Sequence, residues 1–123
     1  MHGHVSFGEF WSRLKDEFGK APGPEDGVHV LSFRKWTQDK GYLPTPPFTA
    51  IWKGGDVIYC DTEKTDNWRT VPATEFRKVY EAWEDYRAER KGRSFIAHDL
   101  GVQNSTWIIP ILYHFEHLAK PGS

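Results

Sequence analysis

Cysteine is nearly missing from this sequence, which has a single one, Cys60, among its 123 residues. One thiol can form neither an internal disulfide nor a cysteine cluster for zinc, so a packed core has to hold the fold. The start of the chain also lacks the charged-then-apolar pattern of an export signal. We therefore expect an unexported, cytoplasmic protein.

Long hydrophobic runs and an excess of one charge are missing as well. No stretch approaches the roughly 18 apolar residues of a membrane helix. The chain has 16 Lys+Arg against 17 Asp+Glu, a net charge of −1, so it has no global basic field to draw in nucleic acids or anionic membranes. Glycine-rich phosphate-binding motifs do not occur in the sequence. We expect no cofactor and no membrane partner.

The length predicts a single domain spanning residues 1–123, with enough chain to bury one core. Residues 1–4 and 122–123 have the composition of a purification tag and its scar, so we give His2 and His4 no functional weight. Tryptophan is enriched, since the six Trp equal the six Leu. Large rings bury much area each, which predicts an aromatic core with one or two rings left to line a pocket.

Helices are predicted in three places. Ser6 to Glu9 match a capping box before an apolar stripe, which predicts a helix over residues 7–19. A second stripe predicts a helix over 74–91, with Thr74 as a plausible N-cap and Gly92 as the stop. Asn104 or Ser105 can cap a third helix through "TWIIPILYHFEHLAK", with Pro110 tolerated near its start.

Strands are predicted at "VHVLSFRKW", on both sides of Gly54-Gly55, and at "WRTV". "GYLPTPPF" reads as an irregular connection, and "RSFIAHDLGVQ" as a short strand or a loop. The fold class that follows is α+β, a three- to four-stranded antiparallel meander packed with three helices. Both faces of the predicted hairpin are largely apolar, so we expect cover on two sides and a homodimer.

The hairpin also predicts a ligand site. A loop of two or four residues would place Trp52, Tyr59 and Asp61 on one face, with Ile58 and Cys60 on the other. Trp68 and Arg69 begin the next strand. Aromatic walls with one carboxylate suit a small organic or cationic ligand. The predicted ligand-binding residues are Trp52, Tyr59, Asp61, Trp68 and Arg69.

Two alternatives stay open at this point. Rings beside cations on consecutive strands are typical of proteins that bind single-stranded nucleic acid. That surface would comprise Arg34, Lys35, Trp36, Lys53, Arg69, Arg90, Lys91 and Arg93. In the second alternative all the aromatic residues belong to the core or an interface, and the protein is structural.

Catalytic and metal-binding patterns are weak. His114 and His117 stand one helical turn apart but lack the spacing and the base of a zinc protease motif. Cys60, His98 and Asp99 could form a thiol nucleophile and its base, yet nothing in the sequence brings them together. We predict no metal site and lean against an enzyme.

"FTAIWKGGDVIYC", "RTVPATEFRKVYEAW" and "NSTWIIPIL" give the chain a character that resembles the small bacterial proteins encoded on integron mobile gene cassettes. The resemblance is one of overall character and carries no functional residue across. It implies a compact, often oligomeric α+β protein.

Overall fold

The structure is a computed structural model and describes residues 4–20, 29–62 and 68–121. The predicted loop "APGPEDG" and the predicted turn "EKTDN" lie outside the described residues. The fold is α+β, as predicted, with a four-stranded antiparallel sheet, a two-stranded ribbon and several helices. Of the described helices, none is both long and apolar enough to cross a membrane.

Within the described residues, six strands form the sheet and the ribbon. They are β1 (His29–Phe33), β2 (Trp36–Thr37), β3 (Gly41–Tyr42), β4 (Phe48–Trp52), β5 (Val57–Thr62) and β6 (Arg69–Pro72). The sheet has the order β1-β4-β5-β6, and each neighbouring pair is antiparallel. Strands β4 to β6 are thus the predicted meander, and the ribbon of β2 and β3 is inserted between β1 and β4.

The α-helices are α1 (Phe7–Lys20), α2 (Ala73–Glu81), α3 (Trp83–Arg87) and α4 (Ser105–His114). A π-helical segment (Phe95–Asp99) precedes α4, and a 3-10 turn (Glu116–Ala119) follows it. Helix α1 matches its prediction closely. The predicted cap is present, since the Glu9 amide donates to Ser6 Oγ at 3.2 Å. Its buried stripe is Phe10, Trp11, Leu14 and Phe18.

The second predicted helix is broken at Ala82 into α2 and α3. Pro72, not Thr74, is the N-cap residue of α2, and no side chain caps it. The end of α3 is also earlier than the predicted stop at Gly92. Glu89 has a φ of 61°, and its amide donates to the Tyr86 carbonyl while the Arg90 amide donates to the Asp85 carbonyl. This pair of bonds is a Schellman motif with Glu89 at the position that favours glycine.

Residues 95–99 are helical rather than a strand or a loop, which corrects the prediction for "RSFIAHDLGVQ". The Leu100 amide donates to the Phe95 carbonyl, and burial of Ile96 in the core fixes the turn. Pro110 lies in the middle of α4 rather than near its start. A buried proline is tolerated there although it cannot donate the usual helical bond.

The register of the β4–β5 hairpin differs from the prediction. Ile51 lies opposite Tyr59, and Ala50 lies opposite Cys60, so an odd number of residues connects the paired positions. Gly54 and Gly55 both have positive φ, 97° and 77°, which accommodates the extra residue. Because side chains alternate along a strand, this one-residue shift exchanges the faces of β5 relative to β4.

The core lies against one face of the sheet. Phe48, Ala50, Ile58, Cys60 and Val71 are fully buried there, and α1, α2 and α4 contribute the opposing side chains. Half of the tryptophans, Trp11, Trp36 and Trp83, are buried. The aromatic core predicted from composition is therefore present.

Candidate ligand-binding site

The five residues predicted to bind a ligand do not converge. Trp52 packs towards the core, and its ring lies close to Gly19 at the end of α1. Tyr59 and Asp61 pair with Ile51 and Thr49, on the opposite face of the sheet. The prediction that Trp52 shares a face with Tyr59 and Asp61 is wrong, and the cause is the odd hairpin register.

The other two predicted ligand-binding residues, Trp68 and Arg69, are at the edge of the sheet. Arg69 is exposed on β6 opposite Cys60, and Trp68 is half-buried just before the strand. Asp61 is buried, at 2% exposure. Lys53 Nζ lies 5.3 Å from the centre of the Tyr59 ring, so a cationic ligand would compete with a cation of the chain itself for that ring.

The predicted nucleic-acid surface is divided between separate places. Arg34, Lys35 and Arg93 lie around the β2–β3 ribbon, and Lys91 lies over Phe95. Lys53 and Arg69 belong to the sheet instead. Trp36 is only 6% exposed and stacks on Tyr113 with ring centroids 3.7 Å apart, so it offers no free face to a base. Arg90 is paired with Asp85.

An arginine on α3 anchors the ribbon. Arg87 Nε donates to Glu116 at 2.9 Å, and another nitrogen of the same guanidinium donates to the side chain of Gln38. The guanidinium also lies 5.2 Å from the Trp36 ring centre and 5.1 Å from that of Tyr113. These contacts fix the ribbon against α3 and α4, so the clefts on its two sides are preformed.

The first of these clefts, here called the aromatic cleft, lies between the ribbon and α4. It has a volume of about 250 Å³ and is lined by Ser32, Phe33, Arg34, Tyr42, Pro110, Tyr113 and His114. The Arg34 guanidinium lies 4.4 Å from the centre of the Tyr42 ring. Tyr42 meets Tyr113 edge-on, with ring centroids 6.1 Å apart. Within the described ranges Tyr42 is the one large hydrophobic side chain that is mainly exposed, at 51%.

The second, here called the basic cleft, lies between the ribbon, the helical segment that begins at Arg93 and the start of α4. Its volume is about 290 Å³. Its polar side chains are those of Lys35, Thr37, Arg93, Ser94, His98, Ser105 and Thr106. Its apolar side chains include Leu43, Ala97 and Ile109.

The cysteine and the histidines weighed for catalysis and metal binding lie in different elements. Helix α4 ends at His114, and His117 belongs to the following 3-10 turn, so the two are not on one α-helix. No cluster of three or more potential metal ligands occurs among residues 4–20, 29–62 and 68–121. Burial raises the pKa of the Cys60 thiol to about 12, whereas His98 is exposed in the basic cleft. At neutral pH Cys60 is therefore a protonated thiol and not a nucleophile.

Sequence reasoning assigned Arg34, Lys35, Trp36 and Arg93 to a binding surface, weighed His98 and His114 only for catalysis or metal binding, and missed the other binding residues of the two clefts. The missed signal is the short hairpin in "WTQDKGY", where Asp39 and Gly41 have turn character between two strand-like pairs. Gly41 has a φ of 68°, as such a turn requires. Reading "VHVLSFRKW" as one strand concealed this hairpin.

Comparison of the chain with protein-family models, with curated proteins and with solved structures gives no match.

Proposed function

We propose that this chain is a non-enzymatic binding protein that takes a small planar organic anion in the aromatic cleft. The observation that carries the proposal is the half-exposed ring of Tyr42, beside Tyr113 and beneath Arg34. Large apolar side chains are usually buried, and rings exposed at the mouth of a preformed cleft are typical of ligand sites.

The charges at the cleft determine the sign of the ligand. Arg34 is cationic, and His114 adds a ring nitrogen that can donate a hydrogen bond. A cationic ligand would be repelled by Arg34, which lies on the Tyr42 ring. An anionic ligand could instead form an ion pair with Arg34. The small organic ligand expected from the sequence is therefore proposed here as an anion, at a site away from Trp52, Tyr59 and Trp68.

A comparison of two carboxylates tests this proposal. We expect 2-naphthoate to bind more tightly than cyclohexanecarboxylate, because only the planar ring can stack. The Tyr42→Ala variant should lose about tenfold in affinity for 2-naphthoate, the upper range for one aromatic contact. The measurement is a protein-observed NMR titration, in which the amides of residues 32–34 and 42 should shift.

Tyr59→Ala is the matched control. Tyr59 also lies beneath a cation, but it is on the sheet, away from the aromatic cleft. It should bind 2-naphthoate like the unaltered protein. Equal affinity for the two carboxylates, or an unchanged affinity of Tyr42→Ala, would contradict the proposal. Oligothymidylate is titrated in parallel. Tighter binding of the oligonucleotide, with a steep loss as salt rises, would favour the nucleic-acid alternative instead.

A further inference from the structure

The basic cleft differs from the aromatic cleft in the chemistry of its lining. Lys35 and Arg93 bring two positive charges, and no carboxylate is among the described residues that line it. Four hydroxyl groups, those of Thr37, Ser94, Ser105 and Thr106, belong to the same lining. Cations together with hydroxyl donors are the groups that proteins use to hold oxyanions.

The hydroxyl of Thr37 is the least expected member of this lining. Thr37 is 93% buried, since 7% of its surface is exposed, and no described group meets hydrogen-bond geometry with its Oγ1 atom. The hydroxyl does help to hold the pKa of Asp39 below its ordinary value, as do the Arg93 and Lys40 charges, so it is near that carboxylate without a well-formed bond. Buried hydroxyls are normally well paired, and this one has only an imperfect contact with Asp39, so it can turn to an oxyanion that takes the place of that carboxylate.

The charge of Arg93 is already partly occupied. Its Nε lies 3.6 Å from Asp39 Oδ1, and the two side chains are 49% and 57% exposed. This is a long, solvated ion pair, which contributes little and exchanges readily with other anions. Asp39 is thus a carboxylate of the chain itself that competes for the cation of the cleft.

The two amides just before α4 do not supply binding groups. Glu75 Oε1 accepts hydrogen bonds from the amides of Gln103 and Asn104, at 2.9 and 3.1 Å. A carboxylate therefore already satisfies the chain just before the helix.

We propose that the basic cleft binds the phosphate group of a small molecule. In this arrangement Lys35 and Arg93 neutralise its charge, and Thr37, Ser94, Ser105 and Thr106 donate to its oxygens. Asp39 is the internal competitor that the phosphate displaces from Arg93. The inference does not depend on the aromatic cleft, because the two sites share no lining residue.

The test uses phenyl phosphate, inorganic phosphate and benzoate in calorimetric titrations with NMR mapping. Phenyl phosphate should bind more tightly than benzoate, with shifts at residues 35–37, 93–98 and 105–106. If inorganic phosphate binds as tightly as phenyl phosphate, the source is the free ion. If it binds more weakly, the organic body contacts Leu43 and Ile109. Shifts confined to other residues, or none, would overturn the proposal.

The Asp39→Asn variant tests the proposal through a gain of affinity for phenyl phosphate, which partial unfolding would not produce. Removing the competing carboxylate should tighten phenyl phosphate binding about two- to fivefold, the size expected for one exposed ion pair. Asp85→Asn is the matched control, because it opens another exposed pair, with Arg90 at 2.8 Å, outside the basic cleft. Equal gains in both variants would mean a general charge effect and would reject the assignment.

Thr37→Val separates binding from folding. The exchange keeps the shape and removes a hydroxyl whose contact with the exposed Asp39 carboxylate is imperfect, so stability should change little. Affinity for phenyl phosphate should fall severalfold, as should that of Lys35→Ala. Unchanged affinity in Thr37→Val with a normal thermal transition would contradict the role of its hydroxyl. Tyr42→Ala should bind phenyl phosphate normally, so failure of one cleft leaves the other proposal testable.

Discussion

The thiol of Cys60 is buried completely in β5, beneath the helices, and this environment determines its protonation. Burial raises its pKa from 9.0 to about 12. Between those pH values the folded protein keeps a proton that the unfolded chain releases. The contribution of this thiol to the free energy of unfolding is therefore fully present below about pH 9 and is lost as pH rises towards about 12. Cys60 is thus a core residue.

This predicts that the free energy of unfolding decreases by up to about 1.4 kcal/mol for each pH unit above about 9. Urea unfolding followed by circular dichroism over that range provides the measurement. Cys60→Ala should show a shallower decrease, since it lacks the titrating thiol, and the remaining slope reports tyrosines such as Tyr80 and Tyr86, whose pKa burial raises. Identical slopes in the two proteins would contradict the assignment.

The residue pattern predicted which side chains of the β4–β5 hairpin are apolar enough to be buried, but it did not predict the register of the two strands. Phe48, Ala50, Ile58 and Cys60 are all apolar, and so are their neighbours Ile51 and Tyr59. With apolar residues on both faces, composition does not choose the register, and the turn does. The two glycines permit several loop lengths, which is why Trp52 was assigned to the wrong face.

At the scale of elements, the end of α3 holds a glutamate in a glycine position. Glu89→Gly should stabilise the protein by about 1 kcal/mol, because glycine adopts the positive φ without the steric cost of a side chain. Glu89→Ala should give no such gain, since alanine keeps the Cβ atom that is strained there. Urea unfolding of the three proteins measures the difference. Equal effects of the two variants would show that the side chain, not the backbone, matters.

Elements with complete local signals were predictable, and those fixed by distant contacts were not. Helix α1 has a capping box and an uninterrupted stripe, and its bounds agree within one residue. The ribbon depends on Arg87, Gln38 and Glu116, which are far apart in sequence. The π-helical segment depends on burial of Ile96. The clefts lie between these elements, so the sequence alone could not predict them.

At the scale of the whole molecule, the homodimer expected from the sequence remains a prediction. Ile51, Val57 and Tyr59 are half-buried apolar residues on the sheet face opposite the core. A stable dimer buries about 800 Å² on each partner, and a sheet face of this kind is a suitable surface. A charge at the centre of an apolar interface is strongly unfavourable because it loses its hydration.

Ile51→Glu should therefore convert a dimer into a monomer that is still folded, which sedimentation equilibrium and circular dichroism would detect together. Ser12→Glu is the control, because Ser12 is exposed on α1 and should leave the association state unchanged. If Ile51→Glu stays dimeric, the molecules associate through another surface, and the ribbon with its exposed Tyr42 becomes the next candidate. If the unaltered protein is a monomer at tens of micromolar, on the order of weak association, the prediction of a homodimer is wrong. The two clefts beside the ribbon would then have to function within a single chain.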